Sequence, residues 1–370
     1  MKITFDRTKK QLELIKAMAS RNREEAYAAQ LALAEFMGPL VSQVINQAPV
    51  ISNLFTSFPF DPDSNPSLPL DLYYDITDED YITIYSQSLA GGLPTNEVRP
   101  TQSELKFQTY DIDSAVAFDR RYAQRSRLDV VAKSFTRLAQ EVLIKQERTS
   151  ANLMLGTLAD NSNATSLSRL IAGTSTRLLP ADFNNLLVRA ARVNSSWYKG
   201  TPEGRVGGIT DMLLSPERMA VLRAMAYNPV NVLEQDGTAS SGADAGLSAP
   251  DVMRMSLYSG AGLASFYGIK LQQIHELGIG QRYTTVFDNL YTGTFTIASD
   301  DLVLGLDLSR ESMLRAVSTD PDSNSEVNLQ VDDQFVARQK KIGWYLEMEE
   351  GRMVIDNRAI FGIRIASATS

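Results

Sequence analysis

The feature that most constrains this chain is a long stretch with a helical hydrophobic pattern and no early helix breaker, at residues 126–158. Apolar residues follow one another in it at steps of three and four, which places them on one stripe of a helix. The members of that stripe are Leu128, Val131, Phe135, Leu138 and Val142. At about 1.5 Å per residue the helix would be roughly 45 Å long, whereas the mean globular helix has about 11–12 residues. The stretch is predicted to be either an ordinary long helix with one face on a core or the spine of an extended, assembly-forming subunit.

The composition is typical of a soluble globular chain that is large enough for two or more cores. The chain has 370 residues, of which 44% are hydrophobic and 22% charged. Its net charge of −8 disfavours a surface that wraps nucleic acid, because such a surface needs clustered Lys and Arg. The same charge is compatible with a shell whose inner wall does not grip nucleic acid tightly. The absence of cysteine excludes disulfides, thiolate metal sites and cysteine nucleophiles.

The sequence carries no pattern for a cofactor, a metal ion or a membrane. Its one histidine, His275, lies in an alternating stretch and is expected on the surface of a strand. No HExxH spacing, phosphate loop, dinucleotide fingerprint or GxSxG motif occurs. No run of 18 apolar residues occurs, so no transmembrane helix is predicted, and the first residues lack the apolar core of a secretory signal. We therefore predict no catalytic, cofactor-binding or metal-binding residues.

The first 70 residues are predicted to form a helical arm and then an extended segment. Residues 1–47 are loosely amphipathic, and the pair Gly38-Pro39 is expected to interrupt the helix. The arm is too weakly apolar to form a core of its own, so it is predicted to pack on the rest of the chain or to bind a partner. Residues 48–70 contain four prolines between Pro59 and Pro69, which favours an extended segment without regular structure.

Residues 71–119 are predicted to form a long two-stranded hairpin. Two alternating stretches, DYITIYSQSL and ELKFQTYDIDSAVAF, flank a segment rich in Gly, Pro and polar residues. An isolated two-stranded ribbon is marginal in water. The hairpin must therefore pack on something, either a neighbouring subunit or a sheet of the same chain.

The second half of the chain is predicted to begin with an α/β unit. A helix starts at Pro180, and a short buried strand at residues 209–215 leads into a helix with Ser215 as N-cap and Pro216 at its first position. Residues 235–250 are rich in Gly, Ala and Ser and are predicted to be a surface loop.

The remaining residues are predicted to be mainly strands. These include YTTVFDN at 283–289, and residues 317–327 form a polar break. The last strands are expected to flank a turn at residues 349–352.

Charged residues form several short groups whose role the sequence leaves open. The acidic groups are adjacent residues, which face opposite sides of a strand, so they are expected to be solvated rather than catalytic pairs. They are Asp78-Glu79-Asp80, Asp300-Asp301, Asp332-Asp333 and Glu349-Glu350. A basic group precedes the long helix and consists of Arg120, Arg121, Arg125 and Arg127. This basic group is predicted to be either a solvated helix start or an intersubunit ion-pair site that faces one of the acidic groups.

The order of these elements resembles that of the major capsid protein of tailed bacteriophages, the family named after phage Hong Kong 97. The stretch DMLLSPERMAVLRAM at residues 211–225 is similar to the strand and helix of that family's axial domain. The stretch FVARQKKIGWYLEMEEGRMVIDNRAIFGI at 335–363 is similar to its last peripheral-domain strands. The resemblance covers nearly the whole chain and implies an α+β fold with an N-terminal arm, an extended E-loop hairpin, a peripheral domain with a spine helix, and an axial domain.

Mapped onto this sequence, the resemblance implies four parts. The arm is residues 1–58, the E-loop 70–116 and the axial domain 186–324. The peripheral domain combines 59–69, 117–185 and 325–370, with the spine helix at 126–158. The implied function is structural: the subunits assemble into pentamers and hexamers of an icosahedral phage head that encloses double-stranded DNA. Implied partners are other copies of the chain, a portal, and scaffolding or decoration proteins, with no membrane and no sequence-specific DNA binding.

The resemblance also directs attention to specific residues. The residues expected at intersubunit contacts are Glu97, Arg99, Arg120, Arg121, Arg125 and Arg127. Some members of the family cross-link covalently through an E-loop lysine and a peripheral-domain asparagine. Here the hairpin tip has no lysine, Lys106 lies further along the returning strand, and Asn357 is only a loose counterpart. We therefore predict no autocatalytic cross-link.

Two alternatives to a phage capsid stay open at this point. The first is an encapsulin-type bacterial compartment of the same fold, which packages protein cargo. The second is a soluble hydrolase that uses paired carboxylates, which needs two facing acids with one raised pKa. The spacing of acidic residues in the sequence offers no such pair.

Overall fold

The computed structural model describes most of the chain in two compact units. The described residues are 8–47, 50–62, 64–69, 104–125, 128–160, 168–194, 208–227, 265–266, 268–320, 325–332 and 340–366. Unit 1 comprises Met1–Leu68, Lys106–Ala151 and Met313–Met353. Unit 2 comprises Pro69–Leu105, Asn152–Ser312 and Val354–Ser370. The surface loop predicted at 235–250 and the outgoing half of the predicted hairpin lie outside the described residues.

The helices of unit 1 include the predicted arm and most of the predicted spine. They are α1 (Lys9–Met18), α2 (Arg23–Gln47), α3 (Arg120–Gln124) and α4 (Leu128–Ala159), of which α4 also contributes to unit 2. The helix predicted at 126–158 is therefore confirmed as the 32-residue helix Leu128–Ala159. The stripe members Val131, Phe135 and Val142 are buried.

Helix α2 corrects the expectation that Gly38-Pro39 ends the arm helix. Pro39 lies inside α2, which continues to Gln47. Proline removes one backbone hydrogen bond from a helix. Here apolar packing outweighs that loss, because Met37 and Val41 on either side of the proline are completely buried. The arm thus packs into the core of unit 1.

Part of α2 is also long and apolar enough to cross a membrane by length and composition, over Arg23–Ile45. Half of its most apolar window is buried inside the protein. Among the described residues it is the one helix that meets this criterion.

Unit 1 contains a five-stranded sheet. Its strands are β1 (Thr56–Phe60), β4 (Thr109–Asp119), β10 (Met313–Ser318), β11 (Asn328–Asp332) and β12 (Lys341–Val354). The order is β1-β10-β12-β11, and β4 pairs antiparallel with β12 from Asp119↔Lys341 to Thr109↔Gly351. Two short strands, β2 (Ser67–Pro69) and β3 (Glu104–Lys106), form a separate pair.

Two expectations for these strands were wrong. The proline-rich segment is not free of regular structure, because β1 contains Pro59 and pairs in parallel with β10. Proline is tolerated there because β1 is an edge strand. The turn predicted at 349–352 does not exist, since β12 runs straight through it. The returning half of the predicted hairpin consists of β3 and β4, and β4 packs in the sheet of unit 1, which agrees with the alternative of a sheet in the same chain.

The core of unit 1 is built around Trp344 of β12, which is completely buried. Its ring packs on Phe118 of β4 at 5.4 Å between centroids and on Phe135 of α4 at 5.1 Å. Residues of α1 and α2, including Ile15 and Met37, belong to the same buried cluster. Burying a large apolar side chain contributes roughly 1.5–3 kcal/mol, so this cluster fixes the arm, the long helix and the sheet as one core.

Unit 2 has a six-stranded sheet of order β5-β13-β9-β6-β8-β7. Its strands are β5 (Leu170–Ala172), β6 (Asp211–Leu214), β7 (Ser265–Phe266), β8 (Ile269–Gln273), β9 (Asp300–Leu306) and β13 (Ile360–Ala366). Its other helices are α5 (Pro180–Asn194), α6 (Pro216–Tyr227) and α7 (Arg282–Leu290). The helices predicted at Pro180 and Pro216 are confirmed, and Ser215 Oγ accepts a hydrogen bond from the N–H of Arg218 at 3.3 Å, as expected of an N-cap.

The stretch at 283–289, predicted as a strand, is helix α7. Its β-branched and aromatic residues favour strands. However, the buried residues Tyr283, Thr284 and Phe287 share one helical face, and Phe287 packs edge-on against Phe295. Tertiary packing therefore overrides local propensity. His275 is exposed, as expected, but lies in a turn just after β8 rather than on the strand.

Candidate functional site

The basic group predicted at intersubunit contacts divides into one engaged and two exposed arginines. Arg120 is half-buried, and its guanidinium donates to the carbonyl oxygens of Ala19, at 2.8 Å, and Ser20. These carbonyls follow the C-terminus of α1, where a cation is favoured. Arg121 and Arg125 are exposed and lie four residues apart. Glu97, Arg99 and Arg127 lie outside the described residues.

The expectation that the adjacent acidic residues are solvated was wrong for Asp300-Asp301 and for Glu350. Asp300 and Asp301 are 5% and 1% exposed, and Glu350 is completely buried. A buried carboxylate is costly unless it is paired and hydrogen-bonded. Asp332 and Glu349 are half-buried, and Asp78, Glu79, Asp80 and Asp333 lie outside the described residues.

Hydrogen bonds that connect α6 to the sheet of unit 2 offset the cost of burying the Asp301 carboxylate. Its Oδ2 accepts from Ser215 Oγ at 2.8 Å and from Arg218 Nε at 2.7 Å. Arg218 also donates to the carbonyl oxygen of Thr176 at 3.1 Å. The N-cap serine therefore serves the helix and the sheet together.

Glu350 is the centre of a buried charge cluster in unit 1. Its carboxylate accepts hydrogen bonds from Tyr110 Oη at 2.7 Å, Arg315 Nε at 3.0 Å and Arg352 Nη2 at 3.0 Å. Gln146 Nε2 adds a fourth at 3.2 Å. The four donors come from β4, α4, β10 and β12, so one carboxylate ties the long helix to three strands.

The charges around Glu350 keep it ionised. Burial alone would raise its pKa, but the guanidinium groups of Arg352 and Arg315 outweigh burial and lower the pKa of Glu350. Tyr110 shows the opposite effect, since burial and the Glu350 charge raise the pKa of Tyr110 to about 12. The phenol therefore stays a neutral donor.

A second carboxylate, Glu147, holds the segment that leads from the arm helix to β1. It accepts from the backbone N–H groups of Val50 and Ile51, the latter at 3.0 Å to Oε2. Burial raises the pKa of Glu147, and these hydrogen bonds and the Arg352 charge offset that effect in part. Arg352 also binds this segment, because its Nη2 donates a hydrogen bond to Ser52 Oγ at 2.8 Å. Its guanidinium carbon lies 5.5 Å from the ring centroid of Phe55.

Among the described residues, Glu147 and Glu350 are the best candidates for the paired acids that the hydrolase alternative requires. The charge of Arg352 acts on both carboxylates, and their pKa values shift in opposite directions. Spacing in the sequence could not have found them, since they are far apart along the chain. Their oxygens, however, are occupied by protein donors, and Glu350 is inaccessible to a substrate. The arrangement acts as an anchor rather than a reaction centre.

The outward face of the unit 1 sheet carries four acidic side chains that are exposed or half-buried. Asp113 pairs directly across from Glu347, and Asp111 directly across from Glu349. Tyr345 lies on the same face, one pair further along. Within the described part of the chain, no salt bridge involves any of these four carboxylates. We call this set, Asp111, Asp113, Tyr345, Glu347 and Glu349, the acidic sheet face.

The field of these acids is visible at Tyr345. A hydrogen bond to Asp113, together with the negative charges of Asp113, Glu347 and Asp111, raises the pKa of Tyr345 to about 12. Tyr345 therefore lies within the negative field of these carboxylates.

Unit 2 contains an open groove of about 760 Å³. It is lined by the last turns of α4, by Val286 and Leu290 of α7, and by residues 354–357. Its two carboxylates, Asp160 and Asp356, are engaged with protein groups. Across the described residues, no group of three or more His, Cys, Asp or Glu side chains could hold a metal ion.

Comparisons with known proteins address the fold. No protein-family profile matches the sequence, and no curated protein sequence matches it. A solved structure from Microbacterium phage Oxtober96 matches with a TM-score of 0.50 and 13% identity, over 87% of this chain and 92% of the other. This chain has the Hong Kong 97-type capsid fold.

Two further structures match with lower scores. The capsid of cyanophage P-SCSP1u gives a TM-score of 0.49 at 12% identity, over 87% of this chain and 89% of the other. The holo-SrpI encapsulin complex from Synechococcus elongatus PCC 7942 gives 0.47 at 12% identity, over 86% and 87%. The assignment of the Hong Kong 97-type fold rests on the phage Oxtober96 match.

Proposed function

We propose that this chain is the major capsid protein of a tailed phage, which assembles as pentamers and hexamers into an icosahedral head around double-stranded DNA. The observation that carries the proposal is the Hong Kong 97-type fold over 87% of the chain. The work of such a subunit is binding rather than catalysis. In agreement with this, the buried acid clusters of both units are saturated with protein donors.

In this proposal the parts of the chain have distinct tasks. Residues 1–58 are the arm, 70–116 the E-loop and 186–324 the axial domain, and the remaining residues, with the spine helix, form the peripheral domain. Pro- and Gly-rich joints at 59–69 and 90–100 let one sequence adopt pentamer and hexamer settings. A shell reconstruction that shows one rigid conformer at every position contradicts this part.

The contacts between subunits are proposed to involve the hairpin tip, at Glu97 and Arg99, and the arginines that precede the spine helix. Arg121 and Arg125 are the best placed of these because they are exposed. Arg120 and Arg127 complete the set. The net charge of −8 fits a shell that encloses DNA without sequence-specific binding. Proposed further partners are a portal and scaffolding or decoration proteins, with assembly in the host cytoplasm and a final place in the virion.

The test is electron microscopy of the purified protein together with sedimentation velocity, with and without a crowding agent. Closed icosahedral particles, or rings of five and six, support the proposal. A chain that stays monomeric under every condition, including co-expression with neighbouring phage genes, overturns it.

The same particles distinguish a phage head from an encapsulin-type compartment. A head assembled during infection contains double-stranded DNA and carries a portal at one vertex. A compartment contains a protein cargo instead. Mass spectrometry and nuclease-protected DNA content of native particles give the answer.

A further inference from the structure

The acidic sheet face is unusual because its like charges lie directly opposite one another. In the antiparallel pair of β4 and β12, Asp113 faces Glu347 and Asp111 faces Glu349. Side chains in such positions lie about 4.5–5.5 Å apart, and like charges there destabilise a sheet. An isolated subunit gains nothing from this arrangement. A positively charged binding partner would remove the repulsion.

The same chain exposes a surface of the opposite sign. Arg121 lies in the short helix α3, and Arg125 is its C-cap residue four positions later, a spacing that brings side chains together on the surface of a helical turn. Both are exposed, and the described part of the chain contains no ion pair for either. Guanidinium groups also bind carboxylates in a bidentate manner and stack on aromatic rings. The acidic sheet face offers both kinds of partner, since Tyr345 lies beside its carboxylates.

The two surfaces do not meet within one subunit. Asp113 lies six residues before Asp119, the last residue of β4, and α3 begins only after that. Six strand residues span about 20 Å, which is too far for an arginine side chain to bridge. Within the described residues the two charged surfaces therefore do not neutralise one another, and a second copy of the chain offers each surface its complement.

A contact of this kind has a defined symmetry. It joins two different patches, so it is heterologous, and repeated head-to-tail contacts close into rings when the rotation permits. A ring of five or six subunits is the unit that the proposed function requires. Many exposed charge pairs repeated around a ring also steer association and fix its register more than they add to affinity.

We propose that the acidic sheet face of one subunit binds Arg121 and Arg125 of a second copy of this chain. The inference rests on the proposed function, because it names the contact by which the subunits of the shell recognise one another.

The test is reciprocal charge reversal. One variant carries Arg121→Glu with Arg125→Glu, a second carries Asp113→Lys with Glu347→Lys, and a third combines all four. The second variant keeps a like-charge pair across the strands but loses the hydrogen bond between Tyr345 and Asp113, so its stability is compared directly with that of the wild type. The thermal unfolding of unassembled subunits verifies that each variant is folded.

The readout is the concentration of free subunit at equilibrium with assembled rings or shells, measured by sedimentation velocity at fixed ionic strength. Each double variant is expected to raise that concentration by about tenfold or more. The combined variant is expected to return it towards the wild-type value. Reversals at other exposed positions, Arg177→Glu and Glu13→Lys, are the matched controls and should leave it unchanged.

The outcomes separate this inference from the proposed function. If the wild type assembles and the double variants assemble equally well, the pairing is wrong while the shell function stands. The pairing is equally wrong if the combined variant stays as defective as its parents. A wild-type chain that never assembles overturns the proposed function and the pairing together.

Discussion

Replacing Glu350 by glutamine should lower the free energy of unfolding of unit 1 substantially, although the side chain keeps nearly the same shape. Glu350→Gln removes the negative charge that Arg315 and Arg352 share, at 3.0 Å from each. The side chains of these arginines are 9% and 1% exposed, so water cannot replace the lost partner. The variant thus leaves two buried cations with reduced compensation.

The size of the loss in stability depends on the partners that Arg315 and Arg352 keep in the variant. Breaking a buried ion pair by removal of one partner costs about 3–5 kcal/mol. Arg315 retains Glu326 at 3.3 Å, and Arg352 retains its hydrogen bonds to Ser52 and Ser150. We therefore expect the lower end, about 3 kcal/mol. For a unit of this size that lowers the unfolding midpoint by about 6–12 °C.

Tryptophan fluorescence of unassembled subunits during urea or thermal unfolding reports on unit 1. Trp344 lies in its core, and Trp197→Phe in every variant makes Trp344 the sole tryptophan. Glu347→Gln is the matched control, because it makes the same chemical change on the same strand at an exposed position. That control should stay within about 0.5 kcal/mol of the parent. Equal stability of the two variants would refute the view that the buried cluster anchors unit 1.

Three further predictions follow from the described contacts. Because its folded pKa is lowered, Glu350 contributes stability above its unfolded pKa of about 4.3 that is lost as pH falls through the folded value. Glu147, with a raised pKa, contributes the opposite slope, so unfolding curves of the single glutamine variants against pH should change in opposite directions. Gly362→Ala places a Cβ 2.7 Å from a Leu158 methyl group and should cost about 1–3 kcal/mol in thermal unfolding, whereas Gly208→Ala, with open space, should not. Ser215→Ala removes both an N-cap and a hydrogen bond to Asp301 and should cost about 1–2 kcal/mol in urea unfolding.

Long local patterns were predicted well. The stripe of α4 recurs over several turns, and the Ser215-Pro216 start of α6 depends on neighbours in sequence, so both were readable in advance. Short stretches were not. The residues of α7 favour a strand by propensity, and only the packing of Phe287 on Phe295 selects the helix.

The charged sites were the least predictable part. Glu349 and Glu350 are adjacent, but one lies on the outward face of β12 and the other is completely buried among residues from four elements. The sequence around Glu350 does not predict its hydrogen bonds to Tyr110 and Gln146, because these partners are more than 200 residues away. The acidic sheet face likewise depends on the register between β4 and β12.

The sequence by itself determined the order of elements and the long helix, and through them the resemblance to the Hong Kong 97-type fold. It could do so because helix periodicity, proline and capping act over a few neighbouring residues. Only the tertiary structure decided which acids are buried anchors and which form an exposed negative face. That difference depends on strand register and on contacts between distant residues, and a one-residue change of register would exchange the two sides of the strand.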